Sequence, residues 1–227
     1  LEAVCKGNFV SGNTGISHTR WATHGAPSST NSHPHVSSGI SVVHNGIIEN
    51  HDVLREEMIA AGYEIQSDTD SEVIAHLIHQ QLETCTDLRE TVNKTIARLK
   101  GAYALGVMAD EYPGLIIGAR SGSPLVVGVG MDEHFIASDQ MALRQVTDRF
   151  VYLEEGDVVE LSSEAYTVFG ANGKAVNREL HQLSETDQVA DKGQYRHFMQ
   201  KEMFEQATVL ADTFAGRIGT DHILEAV

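Results

Sequence analysis

The chain has 227 residues, a formal net charge of −16 and a hydrophobic fraction of 41%, enough apolar material for a substantial core in one large domain. Its acidity excludes nucleic acid and anionic membrane as main partners, because both would repel it. No apolar run approaches the roughly 20 residues of a spanning helix, no basic-then-apolar leader opens the chain, and its two cysteines, Cys5 and Cys85, make no disulfide framework, so a cytoplasmic protein is expected.

From Gly7 to Ser38 the chain is rich in Gly, Ser, Thr and His, too polar throughout for a core strand. Ile40–Val43 is β-rich, and His44-Asn45-Gly46 is expected to close it in a tight turn, since Asn-Gly favours positive φ. Val53, Leu54, Met58 and Ile59 recur at helical spacing. Thr69-Asp70-Ser71-Glu72 has the reciprocal capping-box pattern and predicts a helix running on through Val73, Ile74, Leu77, Ile78 and Leu82. A third helix is expected over Leu88–Leu99.

Beyond Ala102 the texture changes to short segments rich in Val and Ile, separated by Gly, Pro and Asp turns. Strands are predicted at 104–108, 115–119, 125–129, 135–138, 150–153, 158–161 and 166–169, with a hairpin turn at Ala171-Asn172-Gly173-Lys174. Helices followed by a run of strands point to an α+β layered fold rather than βαβ units. The chain turns polar after Arg178, a domain boundary is expected near Leu180, and a last helix spans roughly Tyr195–Phe214.

The most informative stretch is His18-Thr19-Arg20-Trp21-Ala22-Thr23-His24-Gly25. The planar Arg20 guanidinium suits a carboxylate held by two parallel hydrogen bonds, although an internal ion pair would also draw an arginine there. At Asn45-Gly46 a side-chain amide and a backbone N–H can converge on one oxygen, as an oxyanion hole does, but a plain hairpin turn is the more common meaning of a lone Asn-Gly. Asp70 could pair with a ligand ammonium or simply favour the first turn of its helix. Twelve histidines invite a metal reading. His33-Pro34-His35 lacks a third ligand at constrained spacing, so these two are read as structural and no metal or other cofactor is expected. Arg120-Ser121-Gly122-Ser123-Pro124 reads as a strand-connecting turn rather than a phosphate loop.

Together these pieces resemble the glutaminase domain of the glutamine–fructose-6-phosphate aminotransferase family, from Gly15 to about Gln206. The resemblance is carried by the motif around Arg20, by Asn31-Ser32-His33-Pro34-His35, Val43-His44-Asn45-Gly46-Ile47-Ile48-Glu49-Asn50 and Asp68-Thr69-Asp70-Ser71-Glu72, and by Ala119-Arg120-Ser121-Gly122-Ser123-Pro124-Leu125. Ala137-Ser138-Asp139-Gln140, Leu153-Glu154-Glu155-Gly156-Asp157 and the segment from Asp191 to Glu202 extend it.

The resemblance implies a four-layer α/β/β/α sandwich of the N-terminal-nucleophile type, in which an amino-terminal cysteine attacks the glutamine amide and releases ammonia. It implies that Arg20 holds the glutamine carboxylate and Asp70 its ammonium, with Trp21, Thr23 and His24 lining the pocket. Asn45 and Gly46 would then stabilise the oxyanion. Residues 1–180 would be the glutaminase domain and 181–227 a linker and helix toward sugar-isomerase domains. Those absent domains would take fructose 6-phosphate to glucosamine 6-phosphate, in a full-length enzyme expected to be a homo-oligomer.

One departure stands out: the family's opening Cys-Gly-Ile-Val-Gly is missing, and Cys5, followed by Lys6-Gly7-Asn8, lies too close to His18 to replace it. The fragment is therefore expected to be truncated at its N-terminus and inactive alone. The alternatives are a non-catalytic glutamine-binding or assembly module on the same fold, or another class II amidotransferase.

Overall fold

A computed structural model describes residues 12–20, 25–183 and 194–214, the last with side chains to 210. The chain divides into two compact units, 1–183 and 184–227. In the first, strands β1 (His35–Ser37), β2 (Ile40–Ile48), β3 (Gly101–Ala109), β4 (Ile116–Ser121), β8 (Val158–Leu161), β9 (Tyr166–Phe169) and β10 (Ala175–Val176) form an antiparallel seven-stranded sheet in the order β1-β2-β3-β4-β8-β9-β10. A second sheet is four-stranded, in the order β11 (Leu180–Gln182), β7 (Arg149–Tyr152), β5 (Val126–Val129), β6 (His134–Ala137).

Helices α1 (His51–Ala60), α2 (Glu72–Leu82) and α3 (Leu88–Ile96) cover one face of the larger sheet, with α2 packed between the other two. The central position of α2 follows from its sequence. Val73, Ile74, Ala75, Leu77 and Ile78 are all fully buried, so the helix is apolar nearly all round. Its N-cap, Ser71, makes no side-chain capping bond. A missing cap costs about 1 kcal/mol, whereas burying four large aliphatic side chains contributes on the order of 6–12 kcal/mol, so packing decides.

The other face of the larger sheet meets the four-stranded sheet across Ala104, Leu125, Val127, Val151, Leu153, Val159 and Leu161. The 138–148 connection packs against the smaller sheet, bringing Leu143 and Thr147 against Gly128. The described residues thus make an α+β stack of one helical layer on two sheets. The second unit contributes helix α4 (Phe198–Phe214), which opens beside a Tyr195–Phe204 ring stack and exposes Met199 and Met203.

The strands lie where the Val- and Ile-rich segments predict them, and the 171–174 turn joins β9 to β10, with Gly170 N–H donating to the Lys174 carbonyl. Two local expectations fail. Asn45-Gly46 is not a turn: β2 continues through it to Ile48, paired residue by residue with β3. Gly46 does take positive φ, +143°, but inside the strand, where a Cβ would lie 2.0 Å from the Ala102 carbonyl oxygen. The glycine is required by that close approach and not by a reversal.

The capping box at 69–72 also does not form. Glu72 reaches back past Thr69 and accepts from the N–H groups of Gln66 and Ser67 at 2.8 and 2.7 Å, and from Ser67 Oγ at 2.6 Å. The polar 7–38 stretch supplies no central strand among its described residues, only β1, a short edge strand that alternates buried His35 and Ser37 with exposed Val36. No helix among the described residues is long and apolar enough to cross a membrane.

Candidate active site

At the end of the larger sheet nearest the head of α2 lies a cavity of about 320 Å³, within the usual range for small-molecule sites. Its walls are His18, Arg20, His33, His44, Asn45, Gly46, Ile47, Thr69, Asp70 and Ser71. Four residues singled out in the sequence, Arg20, Asn45, Gly46 and Asp70, therefore border one space. Trp21, Thr23 and His24 lie outside the described residues.

Strand β2 supplies Asn45 and Gly46. Strand alternation sends Val42, His44 and Ile48 to the helical side, while the exposed Asn45 faces the opposite side. Its side-chain amide makes no hydrogen bond to another described residue. It also borders a second cavity of about 520 Å³ between the sheets, walled by Val43, Ala104, Leu105, Leu125, Ile136 and Leu143 among others.

The segment from Gln66 to Ser71 supplies Asp70, and it is held from several sides. Arg55 of α1 donates to the carbonyls of Ser67 and Thr69 at 3.0 and 2.8 Å. Glu72 satisfies the N–H groups before them. Asp70 itself is 3% exposed and accepts from Ile48 N–H at 2.8 Å and, more weakly, from Ser71 Oγ at 3.4 Å. His44 Nδ1 lies 2.8 Å from the same Ser71 hydroxyl. If Nδ1 carries the proton, His44 donates to Ser71 and Ser71 to Asp70, so one assignment satisfies both bonds.

Arg20 borders the cavity beside Gly25 and Ala26. Its guanidinium donates to the carbonyls of Gly25 and Ala26 at 3.2 and 3.3 Å, which orients the planar group.

The histidines crowd beneath these groups. His33 lies between His18 and His35, with ring centroids 4.4 and 5.0 Å away. Burial, then the neighbouring histidines and Arg20, push its pKa down to about 3. Neither His33 ring nitrogen has a hydrogen-bond partner among the described residues. His35 is anchored by its Nε2 at 2.9 Å from Thr69 Oγ1, and burial lowers its pKa although Glu72 and Asp70 oppose the shift. Burial likewise lowers His44, against the opposing charge of Asp70. Beside this cluster, Arg20 and Asp70 place opposite charges on the described cavity wall. Among the described residues no set of three His, Cys, Asp or Glu side chains is arranged to hold a metal. Cys85, the one described cysteine, is buried and outside the cavity walls, with Sγ 3.5 Å from the Asp87 carbonyl.

The 120–124 segment is filled by the protein itself. Glu155 accepts from Ser121 Oγ at 2.7 Å and from Gly122 N–H at 2.9 and 3.0 Å, with Arg120 3.5 Å away. This carboxylate occupies the place an anion would take, in keeping with a structural turn.

Asn31, Arg55 and Ser71 have no individual role that the sequence signals, and Glu72 has a different one from the cap it suggests. Asn31 and Arg55 act through contacts distant in sequence, for which spacing carries no signal. Glu72 was placed on the cap of α2 when it braces the preceding loop.

A layered α+β fold whose described residues bring a cation, an anion and the Asn45-Gly46 stretch of β2 around a small cavity defines a class, and the comparisons agree with it. The family profile described as "Glutamine amidotransferase domain" matches residues 18–145, and the chain belongs to that family. Among curated proteins it is 54% identical over 98% of its length to glutamine–fructose-6-phosphate aminotransferase [isomerizing] of Vibrio vulnificus. It is 51% identical over 99% to the protein of that name from Pseudomonas putida. The chain spans just over a third of these relatives, 36% and 37%. Among solved structures, the glutamine phosphoribosylpyrophosphate amidotransferase of B. subtilis aligns with a TM-score of 0.58 at 25% identity, covering 70% of this chain and 35% of that one. The fold is thus that of the N-terminal-nucleophile amidotransferases, as the sequence resemblance implied, although of the four layers expected the described residues of the first unit show three, one helical layer and two sheets.

Proposed function

We propose that this chain is the glutamine-recognition part of an enzyme that takes ammonia from glutamine to convert fructose 6-phosphate to glucosamine 6-phosphate. The observation that carries the reading is the meeting of Arg20, Asp70, Asn45 and Gly46 on one cavity wall. A free amino acid carries both charges, so opposed charges suit it, and an amide under attack needs donors for its oxygen. In this reading Arg20 takes the carboxylate, Asp70 the ammonium, and the Asn45 side chain and Gly46 N–H the oxyanion. Trp21, Thr23 and His24 are assigned to the same pocket by the family resemblance alone.

Among the described residues the cavity walls carry no thiol, so the attacking sulfur is assigned to a cysteine beyond them, and the chain alone is expected to bind glutamine without hydrolysing it. Residues 1–180 are taken as the glutaminase domain and 181–227 as the connection to isomerase domains. The complete enzyme is taken as a homo-oligomer. Calorimetry with L-glutamine tests the site: the wild-type chain binds weakly, and Arg20→Ala abolishes binding. Unchanged affinity in that variant would remove the carboxylate assignment.

A further inference from the structure

The two opposed charges of the cavity sit on separate loops, and neither loop alone fixes the distance between them. Asn31 joins the loops. Its Nδ2 donates to the Ala26 carbonyl at 2.9 Å, the carbonyl that also accepts from Arg20. The same nitrogen donates to Asp68 Oδ2 at 3.2 Å, and its Oδ1 accepts from Asp68 N–H at 2.9 Å, two residues before Asp70. Asn31 is 3% exposed, and its amide uses both donors and its acceptor.

Gly25 makes room for this arrangement. With φ at +72°, it occupies a position where a Cβ would lie 2.6 Å from Asn31 Nδ2 and 2.8 Å from the Asp68 Cβ. The Arg20 loop and the Asp70 loop therefore meet at this amide.

We propose that Asn31 is the positioning residue that sets the spacing between Arg20 and Asp70, and so selects ligands bearing a carboxylate and an ammonium on one carbon. The inference rests on the assignment of Arg20 and Asp70 given above. A ligand with both charges must satisfy both loops at once and gains from a fixed spacing, because less ordering is left to binding. A ligand with one charge touches one loop and is indifferent to the spacing. Asn31 itself touches no ligand.

The test is a ligand-observed NMR titration of the full 227-residue chain with L-glutamine, 4-aminobutanamide, which lacks the carboxylate, and 4-carbamoylbutanoate, which lacks the amine. Asn31→Asp keeps the size and the acceptor but removes both Nδ2 donors and sets a carboxylate against Asp68. Glutamine affinity is expected to fall at least about tenfold while each one-charge analogue changes less than about threefold. Asp68→Ala, at an exposed position, removes only the 3.2 Å bond and should move the same ratio in the same direction, by about threefold.

If Asn31→Asp fails to show a cooperative thermal transition, Asp68→Ala decides. Equal weakening of all three ligands, or retention of wild-type selectivity, overturns the role of Asn31 alone. A wild-type chain that binds glutamine no better than either analogue, or binds none of the three, overturns the Arg20 and Asp70 assignment and this inference with it.

Discussion

Asp70 accepts the Ile48 N–H at 2.8 Å, so the carboxylate at the head of α2 is tied to the end of the strand that carries Asn45 and Gly46. One buried hydrogen bond thus couples the anionic end of the proposed pocket to its oxyanion end. The residue has two tasks, to hold the strand and to face the ligand, and they are separable by substitution.

Asp70→Asn retains an oxygen for the Ile48 N–H, so its stability should stay within about 1 kcal/mol of the wild type. Loss of the charge should nonetheless weaken glutamine binding about tenfold or more. Asp70→Ala leaves the buried N–H unpaired and should lose a further 1–3 kcal/mol, roughly. Urea denaturation and calorimetry on the two variants separate these effects. An Asn variant that binds glutamine as the wild type does would refute the ammonium assignment.

Gly46→Ala is expected to be far more damaging than its size suggests. The added methyl would sit 2.0 Å from the Ala102 oxygen, and the backbone there is at φ +143°. Both the contact and the strain fall on the β2–β3 ladder, so a loss of about 3 kcal/mol or more is expected. A urea midpoint within error of the wild type would show that the strand can shift to accept the methyl, and that the close approach is not fixed.

How far the sequence reveals these arrangements depends on the range of the interaction. The buried strands of the 104–169 region and the apolar run of α2 are local patterns, and their positions follow from β-branched content and turn residues. Asn45-Gly46 misleads because the dipeptide's preference for positive φ is the same in a turn and in a strand pressed against a neighbour's carbonyl. Its role as a strand residue comes from β3, which a local reading cannot supply. Glu72 misleads in the same way, since a carboxylate near a helix start serves a cap or a preceding loop with one sequence signature. Arg20 and Asp70 were identified by chemistry and resemblance. Their common cavity depends on Asn31, Arg55 and the pairing of Ile48 with Asp70, none visible as a spacing.

The histidine cluster makes stability depend on pH with a definite sign. His18, His33, His35, His44 and His76 all have pKa values lowered from 6.5, first by burial. Below pH 6.5 the unfolded chain takes up protons that the folded chain refuses, so stability falls as the pH drops. For His33 the loss continues down to about pH 3. The urea midpoint is expected to decline from pH 7.5 to 5.5. His33→Phe, which keeps a ring in the stack and removes one titrating group, should show a shallower decline. A flat midpoint over that range would contradict the buried neutral cluster.

Glu72 extends the pH argument to a single loop. Burial pushes its carboxyl up, but the Ser67 hydroxyl and the N–H groups of Gln66 and Ser67 together hold it below its ordinary 4.5. A depressed carboxylate contributes stability that is present above 4.5 and is lost as the pH falls through the lower folded value. In Glu72→Gln one carboxylate oxygen becomes an NH₂ group, so a backbone N–H of the 66–67 turn faces a donor instead of an acceptor. At pH 7 the variant should be less stable by about 1–3 kcal/mol. Toward pH 3 the gap between variant and wild type should shrink, because the wild-type carboxyl is then being protonated. The same substitution loosens the segment that presents Asp70, so glutamine affinity should fall even though Glu72 does not border the cavity. Parallel denaturation curves at pH 7 and 3, with a constant gap between the two proteins, would assign the loss to packing alone and remove the charge of Glu72 from the account.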